Sequence, residues 1–268
     1  MTEKLKSNAV GNASGRGGAS GSGATVYQEQ PRKPDHPLAY ASARVERASD
    51  HLTTLAQRVT LRGQQQIDGM KLSPSQTDPD QIVLDPRADL GLDPVLGILV
   101  GEACYNLRGA LDYLVYELAL HNSGAIQRQT QFPIEDTAAR FTDAVRRGRL
   151  IALNDAQVQY IETLQPYNGC KWTLNLRELS NPDKHRFLIP TSGKHDVNVR
   201  VLPKDHPDVI NSVLPKRFAQ TLNGQELYVL FDINTALQFE DGSPAMATLE
   251  DIKTNAAHTL DHFRSDFA

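Results

Sequence analysis

The sequence predicts an α+β protein, a helical bundle built on two long helices with a small C-terminal antiparallel sheet. Two stretches, 37–64 and 94–120, carry apolar residues at spacings of three and four and contain no interior Pro, which indicates long helices. Past about residue 186 the pattern changes to alternating or short continuous apolar runs, which are typical of strands. No internal repeat indicates a solenoid or a propeller.

The chain divides into a tail and one domain. Residues 1–24 contain six Gly and four Ser and almost no large apolar side chain. Such a segment cannot offset the entropy of ordering by burial. We therefore expect 1–24 to be a disordered tail and 37–268 to form a single α+β domain.

The first helix is predicted over 37–64. Its apolar residues form one stripe along the helix, and such a stripe packs against another long helix. That helix lies either in the same chain or in a second copy. A homodimer through the long helices is thus one expectation. The positions that form the stripe are Leu38, Ala41, Val45, Ala48, Leu52, Leu55 and Val59.

The second long helix is the predicted hydrophobic centre. The stretch before it, 69–92, mixes short apolar groups with several Pro and Asp, which favours short strands joined by turns. Asp93 is the expected cap and Pro94 the first-turn residue of a helix that runs to about Leu120. Its apolar face consists of Leu96, Val100, Ala103, Leu107, Leu111, Leu114 and Leu118.

Two shorter helices and the sheet follow. Asn154 is predicted to cap a helix that ends near Gln165, and a second helix over 171–180 is stopped by Asn181 and Pro182. The apolar runs predict strands at 186–190, 197–201, 227–233 and 237–240.

The last helix is predicted to start at Thr248, with Asp251 three residues later as the second half of a cap. It carries His258 and His262 four residues apart, a spacing that can hold a transition metal. Because no third ligand is identifiable, we expect no metal. No phosphate-binding glycine loop or dinucleotide fingerprint is present, so we expect no cofactor either.

The net charge and the hydropathy of the chain limit the classes of partner that we expect. A formal net charge of -4 gives no global attraction to nucleic acid, which would need a local basic patch. The strongly apolar stretch 95–100 is far short of the roughly 20 residues that span a bilayer. The N-terminus lacks the apolar centre of a secretory signal. We expect a soluble, cytoplasmic protein that does not bind membranes.

The first candidate site lies on the second long helix. Arg108 and Asp112 are four residues apart and can touch, with Asn106 and Glu102 nearby. An Arg that precedes its acid is in the less favourable order for helix stabilisation, which favours a tertiary role. Asp112 either orients Arg108 to bind an anion or forms with it an ion pair that fixes helix packing.

The second candidate site follows the predicted helix end at Ser180. Lys184, His185 and Arg186 are three consecutive cations that could bind a phosphate or carboxylate, with Asp183 holding the His tautomer. The alternative is that Asp183 and Asn181 cap a turn and the basic side chains are solvated.

Both segments resemble motifs of an uncharacterised family of bacterial and phage-associated proteins. Its members carry a helix that reads approximately G-E-x-x-H-N-L-R-S-A-L-D-H-L, then Q-P-Y, then a helix end that reads L-S-N-x-D-K-H-R. The resemblance spans about 40–265 and implies no activity. Tyr105 and Tyr113 stand where the family pattern carries His. The matches are Gly101, Glu102, Asn106, Leu107, Arg108, Ala110, Leu111, Asp112, Leu114, Gln165, Pro166, Tyr167, Leu179, Ser180, Asn181, Asp183, Lys184, His185 and Arg186.

A looser resemblance is to the HEPN superfamily, the helical bundles of toxins and antiphage systems. Its nuclease members use an Arg that is followed four to six residues later by His. Here Tyr113 follows Arg108 by five residues, so the imidazole for acid–base chemistry is missing. The resemblance implies a HEPN-like bundle without catalysis or a degenerate HEPN-like ribonuclease.

Two functions follow from these observations. The first is a non-catalytic binding or interaction protein whose polar cluster contacts an anionic ligand or nucleic acid. The second is an enzyme that acts on a phosphate-containing substrate through Arg108, Asp112 and His185. The two differ in whether the two candidate segments meet in one concave pocket.

Overall fold

The computed structural model describes residues 35–74, 76, 82–85, 93–183, 191–212, 214, 216–222 and 224–268. The predicted tail over 1–24 lies outside the described residues. Residues Pro34–Ala268 form one compact unit. It has the predicted α+β architecture, with long helices and a three-stranded antiparallel sheet.

The first long helix, α1, spans Ala39–Gly69. It runs five residues past the predicted end at 64. Ile67 is buried and extends the apolar stripe, and the Gln64 side chain donates to the Asp68 carboxylate at 3.0 Å on the exposed side. The helix therefore continues until it reaches Gly69.

The second long helix, α2, spans Pro94–Ser123 and begins as predicted. The Asp93 carboxylate accepts a hydrogen bond from the Val95 N–H at 3.0 Å, so it caps the first turn. Gly124, with φ 67°, ends the helix in the left-handed conformation that favours glycine. The predicted apolar face of α2 is buried throughout.

The helices α1 and α2 pack against each other in antiparallel directions. Tyr40 near the start of α1 lies 6.5 Å from Tyr113. At the other end, Arg62 pairs with Asp93 at 3.5 Å. The seam predicted on α1 is therefore covered from within the chain.

Three shorter helices follow. The helix α3, Ala138–Arg146, is missing from the prediction. Thr137 caps it at the Arg140 N–H over 3.3 Å, and its buried Phe141 and Ala144 are too few to give a clear apolar period.

The next two helices were predicted. The helix α4, Asp155–Thr163, has the predicted Asn154 cap, completed by Gln157 as a capping box. A single 3-10 turn, Pro166–Asn168, leads to α5, Lys171–Asp183. The helix α5 includes Asn181 and Pro182, so the predicted end at Ser180 is three residues too early.

The strands form two sheets. A hairpin-like pair joins β1, Lys71–Pro74, to β2, Ile82–Asp85, as the sequence predicted for 69–92. The larger sheet has the order β3-β5-β4 and is antiparallel throughout. Its strands are β3, Thr191–Pro203; β4, Lys216–Leu222; and β5, Gln225–Phe239.

Several sheet boundaries differ from the prediction. The predicted strands 227–233 and 237–240 are parts of β5, and 197–201 is the middle of β3. The strand β4 and the short helix α6, Pro207–Asn211, were missed. In β4 the exposed edge residues do not form a simple apolar alternation. The predicted strand at 186–190 lies outside the described residues.

The last helix, α7, spans Ala245–His262. The predicted start at Thr248 is wrong. The Thr248 hydroxyl donates to the Pro244 carbonyl at 2.9 Å inside the first turn, so it does not cap the helix. A 3-10 turn, Phe263–Phe267, completes the chain.

Two apolar clusters hold these elements together. The larger one lies among the helices and includes Leu237 and Phe239 from the end of β5. The smaller one joins the end of α1 to the sheet through Ile67, Met70 and Phe231. No helix in the described part of the chain is long and apolar enough to cross a membrane.

Candidate anion-binding site

The centre of the site is the extended segment 131–135, which lies between α2 and α3 in the chain and outside any regular element. After Gly124 the chain turns and runs back along α2 by about 20 Å, given a rise of about 1.5 Å per helical residue. Phe132 and Ile134 of this segment are buried. Their main-chain polar groups are therefore cut off from water and need partners in the protein.

Arg108 and Asp112 of α2 supply partners for Phe132. The Arg108 guanidinium donates to the Phe132 carbonyl. The Asp112 carboxylate accepts from the Phe132 N–H at 2.9 Å. The two side chains also pair with each other, with 3.7 Å between Nη2 and Oδ1. The predicted tertiary role of the pair is thus to hold a distant stretch of main chain.

Gln165, the first residue of the Q-P-Y match, holds the next part of the segment. Its fully buried amide donates to the Pro133 and Ile161 carbonyls, each at 2.9 Å. Its oxygen accepts from the Glu135 N–H at 2.9 Å. Because side chains of α2 and Gln165, which follows α4, both bind the main chain, the segment is fixed from two sides.

A cavity of about 220 Å³ opens beside this segment; we call it the arginine cavity. Arg108, Arg149 and Arg177 line it, together with Glu135 and Ser180. The rest of its described lining comes from 131–134. Its size is below the range of about 300–1,000 Å³ that is usual for drug-sized ligands, so it suits a small group.

Each arginine is held by a different partner. Arg177 of α5 pairs with Asp136 at 2.6 Å. Arg149 donates to the side-chain oxygen of Gln131. Each guanidinium carries five N–H donors, more than the contacts among the described residues use. The cavity therefore presents several fixed cationic donors.

Burial dominates the electrostatics of Arg108, whose side chain is 12% exposed. Desolvation lowers the pKa of Arg108, the carboxylates of Asp112 and Glu135 oppose that shift, and the charge of Arg149 adds to it. An arginine stays protonated even so. Arg108 is therefore a desolvated cation close to a second cation, an arrangement that an anion would stabilise.

The last predicted residue of the helix before the second candidate site reaches the arginine cavity. Ser180 lines the cavity beside Arg108. Asp183 is the last residue of α5. The side chain of Asp183 and the residues Lys184, His185 and Arg186 lie outside what the structure describes, so their predicted role stays a prediction.

Asn106 lies away from the arginine cavity, at the contact between α2 and α1. Its oxygen accepts from Arg44 at 3.3 Å, and its amide donates to the Glu102 carbonyl at 2.8 Å. Glu102 itself pairs with His51 of α1 at 3.2 Å. The structure therefore separates Asn106 and Glu102 from Arg108 and Asp112.

Arg44 also contacts two tyrosines of α2. Its guanidinium lies 5.5 Å from the ring centre of Tyr105 and 5.1 Å from that of Tyr113. Both rings are exposed, as is Tyr40. We call Tyr40, Arg44, Tyr105 and Tyr113 the tyrosine face.

A second, larger cavity of about 360 Å³ lies near the end of α7. Its polar side chains bond mainly to each other. Gln157 donates to Asp266 at 2.7 Å and accepts from Asn122 at 2.8 Å. His262 stacks on Tyr160 with 3.5 Å between ring centres. This cavity therefore presents fewer charged side chains to a ligand than the arginine cavity does. Among the described residues, no three metal-ligating side chains converge.

The sequence predicted no part in a site for Arg149, Arg177 or Glu135. Arg177 precedes Ser180 by three residues, so helical spacing could have placed it on the same face as Ser180. No comparable signal exists for Glu135, whose position depends on the return of the chain along α2.

Comparison with protein-family models, with curated proteins and with solved structures finds no match for this chain. The function must therefore be argued from the geometry of the site.

Proposed function

We propose that the protein is a non-catalytic binding protein whose arginine cavity holds the phosphate group of a ligand. The observation that carries the proposal is the convergence of Arg108, Arg149 and Arg177 on one small polar cavity. Among the described residues of the lining, these three arginines are accompanied by one acidic residue, Glu135. A tetrahedral oxyanion would relieve the repulsion among these cations and accept their N–H donors.

The fixed backbone beside the cavity supports the proposal. The segment 131–135 is held by Arg108, Asp112 and Gln165, so it does not have to be ordered when a ligand arrives. Preorganised donors bind an anion with a smaller entropic cost than mobile surface lysines. We infer that Asp112 orients Arg108 while Arg108 still faces the cavity.

The proposal also includes Lys184, His185 and Arg186. They follow the cavity residue Ser180 by four to six residues in sequence and would add donors to the same ligand. Asp183 would hold the tautomer of His185. Asn106 has no part in the proposed site, because its contacts are with Arg44 and Glu102.

The alternative is an enzyme that acts on a phosphate-containing substrate, including a degenerate HEPN-like ribonuclease. The carboxylate of Glu135 in an arginine-lined cavity favours it, since an acid–base group beside the bound phosphate could transfer a proton. Release of a product from a phosphate-containing substrate by the wild type, lost in Glu135→Gln, would support the enzyme over the binding protein.

Two broader expectations remain part of this proposal. One is a cytoplasmic location in a bacterium or a phage-infected cell. The other is a homodimer. Because α1 and α2 already cover each other's apolar stripes, two copies would have to meet through outer faces such as the tyrosine face.

The test is titration of inorganic phosphate into the full chain, followed by isothermal calorimetry, with two arginine variants. Arg149→Ala removes a cavity arginine and leaves the main-chain hydrogen bond from Gln131 N to Arg149 O, at 3.0 Å, intact. Arg147→Ala is the matched control, because Arg147 is 74% exposed and pairs with Asp143 at 2.6 Å. Loss of a charged hydrogen bond should weaken binding by about tenfold or more in Arg149→Ala.

The Arg147→Ala variant should bind phosphate as the wild type does. Equal weakening in both variants would mean that general surface charge attracts the anion. The same would follow if phosphate did not saturate the wild type, and the proposed function would then be wrong.

A further inference from the structure

Glu135 is an unexpected residue in a cavity that attracts anions. Glu135 lines the same space as three arginines, and its carboxylate is close enough to Arg108 to act on its charge. Its main-chain N–H is fixed by the buried amide of Gln165 at 2.9 Å. Glu135 is thus placed in the cavity by the same contacts that hold the whole segment.

Hydrogen-bond chemistry limits what can face this carboxylate. An ionised carboxylate accepts hydrogen bonds and donates none. A fully deprotonated oxyanion also has only acceptors, so it would be repelled by Glu135 wherever the two oxygens meet. An oxyanion that keeps one proton can donate an O–H to Glu135 while its other oxygens accept from the guanidinium groups.

We infer that Glu135 makes the arginine cavity selective for oxyanions that carry a proton, such as hydrogen phosphate or the protonated end of a phosphate monoester. Sulfate and phosphate diesters, which have no proton to donate, are disfavoured. This inference rests on the proposed function, because it assigns the ligand class of the same cavity.

A simpler role for Glu135 is to reduce the positive charge of the cavity. A carboxylate in that role would weaken the binding of every dianion to the same degree. Selectivity between two anions of equal charge and shape therefore separates the two roles. Hydrogen phosphate and sulfate are such a pair, since both are tetrahedral dianions and only the first has an O–H.

The experiment measures the dissociation constants of phosphate and sulfate at pH 8 by calorimetry on the full chain. At that pH, phosphate is mostly the dianion with one proton, because its second pKa is about 6 to 7. We expect the wild type to prefer phosphate by about tenfold or more, the value of one charged hydrogen bond. In Glu135→Gln the preference should fall to about threefold or less, with sulfate bound more tightly than by the wild type.

Glu178→Gln is the matched control. Glu178 is exposed on α5, the helix that also carries Arg177, and it is not among the residues that line the cavity. The Glu178→Gln variant loses the same charge as Glu135→Gln but keeps the cavity lining unchanged. Its preference for phosphate over sulfate should therefore equal that of the wild type.

Equal affinity of the wild type for both anions would overturn the inference and leave the proposed function standing. A preference for phosphate that persists in Glu135→Gln would also overturn the inference and leave the proposed function standing. If neither anion binds, the proposed function itself fails.

A second pair of probes identifies the source of the phosphate. Methyl phosphate at pH 6 keeps its proton in a large fraction of molecules, whereas dimethyl phosphate has none. Binding of methyl phosphate would assign the cavity to the terminal phosphate of a larger ligand. Binding of inorganic phosphate alone would assign it to the free ion. Dimethyl phosphate bound as tightly as methyl phosphate would contradict the selectivity.

Discussion

The two polar faces of α2 differ in what their side chains hold. On one face, Arg108 and Asp112 bind the buried main chain of Phe132 and border the arginine cavity. On the other, Arg44 of α1 lies against the exposed rings of Tyr105 and Tyr113. Both faces carry residues of the same short stretch of α2, 105–113. Only the face that carries Arg108 encloses its arginine side chain.

This difference shows that residues close together in the sequence of one helix need not belong to the same site. Asn106 and Arg108 are two residues apart in sequence, yet their side chains leave α2 on different sides because successive helical residues are rotated by about 100°. Arg108 is 12% exposed, so its charge has lost much of its water. A desolvated charge attracts a ligand anion more strongly than an exposed one does.

The largest expected effect is that of removing Arg108. In Arg108→Ala the Phe132 carbonyl loses its donor and Asp112 loses its cation, which should cost about 3 kcal/mol of unfolding free energy. Arg44→Ala, the matched arginine of the tyrosine face, should cost about 1 kcal/mol, since it loses exposed cation–π contacts. Urea denaturation of both variants measures the difference.

Equal losses in the two variants would contradict the comparison between the faces. A loss below about 1 kcal/mol in Arg108→Ala would mean that water replaces its hydrogen bond to Phe132, and that this face of α2 is less enclosed than the structure indicates.

A smaller effect is expected at Gly109, which lies under Arg44. A Cβ at this position would be 3.0 Å from Cδ of Arg44, so the side chain of Arg44 would have to move. Alanine within a helix is favoured over glycine by about 1 kcal/mol. Gly109→Ala should therefore add only a few tenths of a kcal/mol in the wild type and about 1 kcal/mol in the Arg44→Ala background.

This double-mutant cycle reports whether Arg44 occupies the tyrosine face in solution. The same gain of stability in both backgrounds would show that Arg44 does not lie over Gly109.

The elements that the sequence predicts well are those whose signal is local. The Asp93 cap and the apolar stripe of α2 depend on residues a few positions apart, and both are as predicted. The predicted start of α7 was wrong. Thr248 is a residue type that often caps helices, but its hydroxyl donates to the Pro244 carbonyl instead. The helix α3 was missed because only Phe141 and Ala144 mark its buried side.

The site could be predicted only in part, for a related reason. Arg108 and Asp112 stood out because their order on the helix suits a tertiary contact. What they contact is Phe132, at 24 and 20 residues' distance in sequence. Arg149, Arg177 and Glu135 join them only because the chain folds back along α2. No pattern of neighbouring residues contains that information.

The most direct test of the central claim is a titration of the full chain with inorganic phosphate, followed through the arginine Nε–H signals by ¹H–¹⁵N NMR. The account predicts saturable shifts for Arg108, Arg149 and Arg177, all with one dissociation constant. The signals of Arg44 and Arg147 should stay within the change caused by an equal ionic strength of sodium chloride. Shifts of similar size at Arg44 and at the three cavity arginines, or shifts that do not saturate, would contradict an anion site in the arginine cavity.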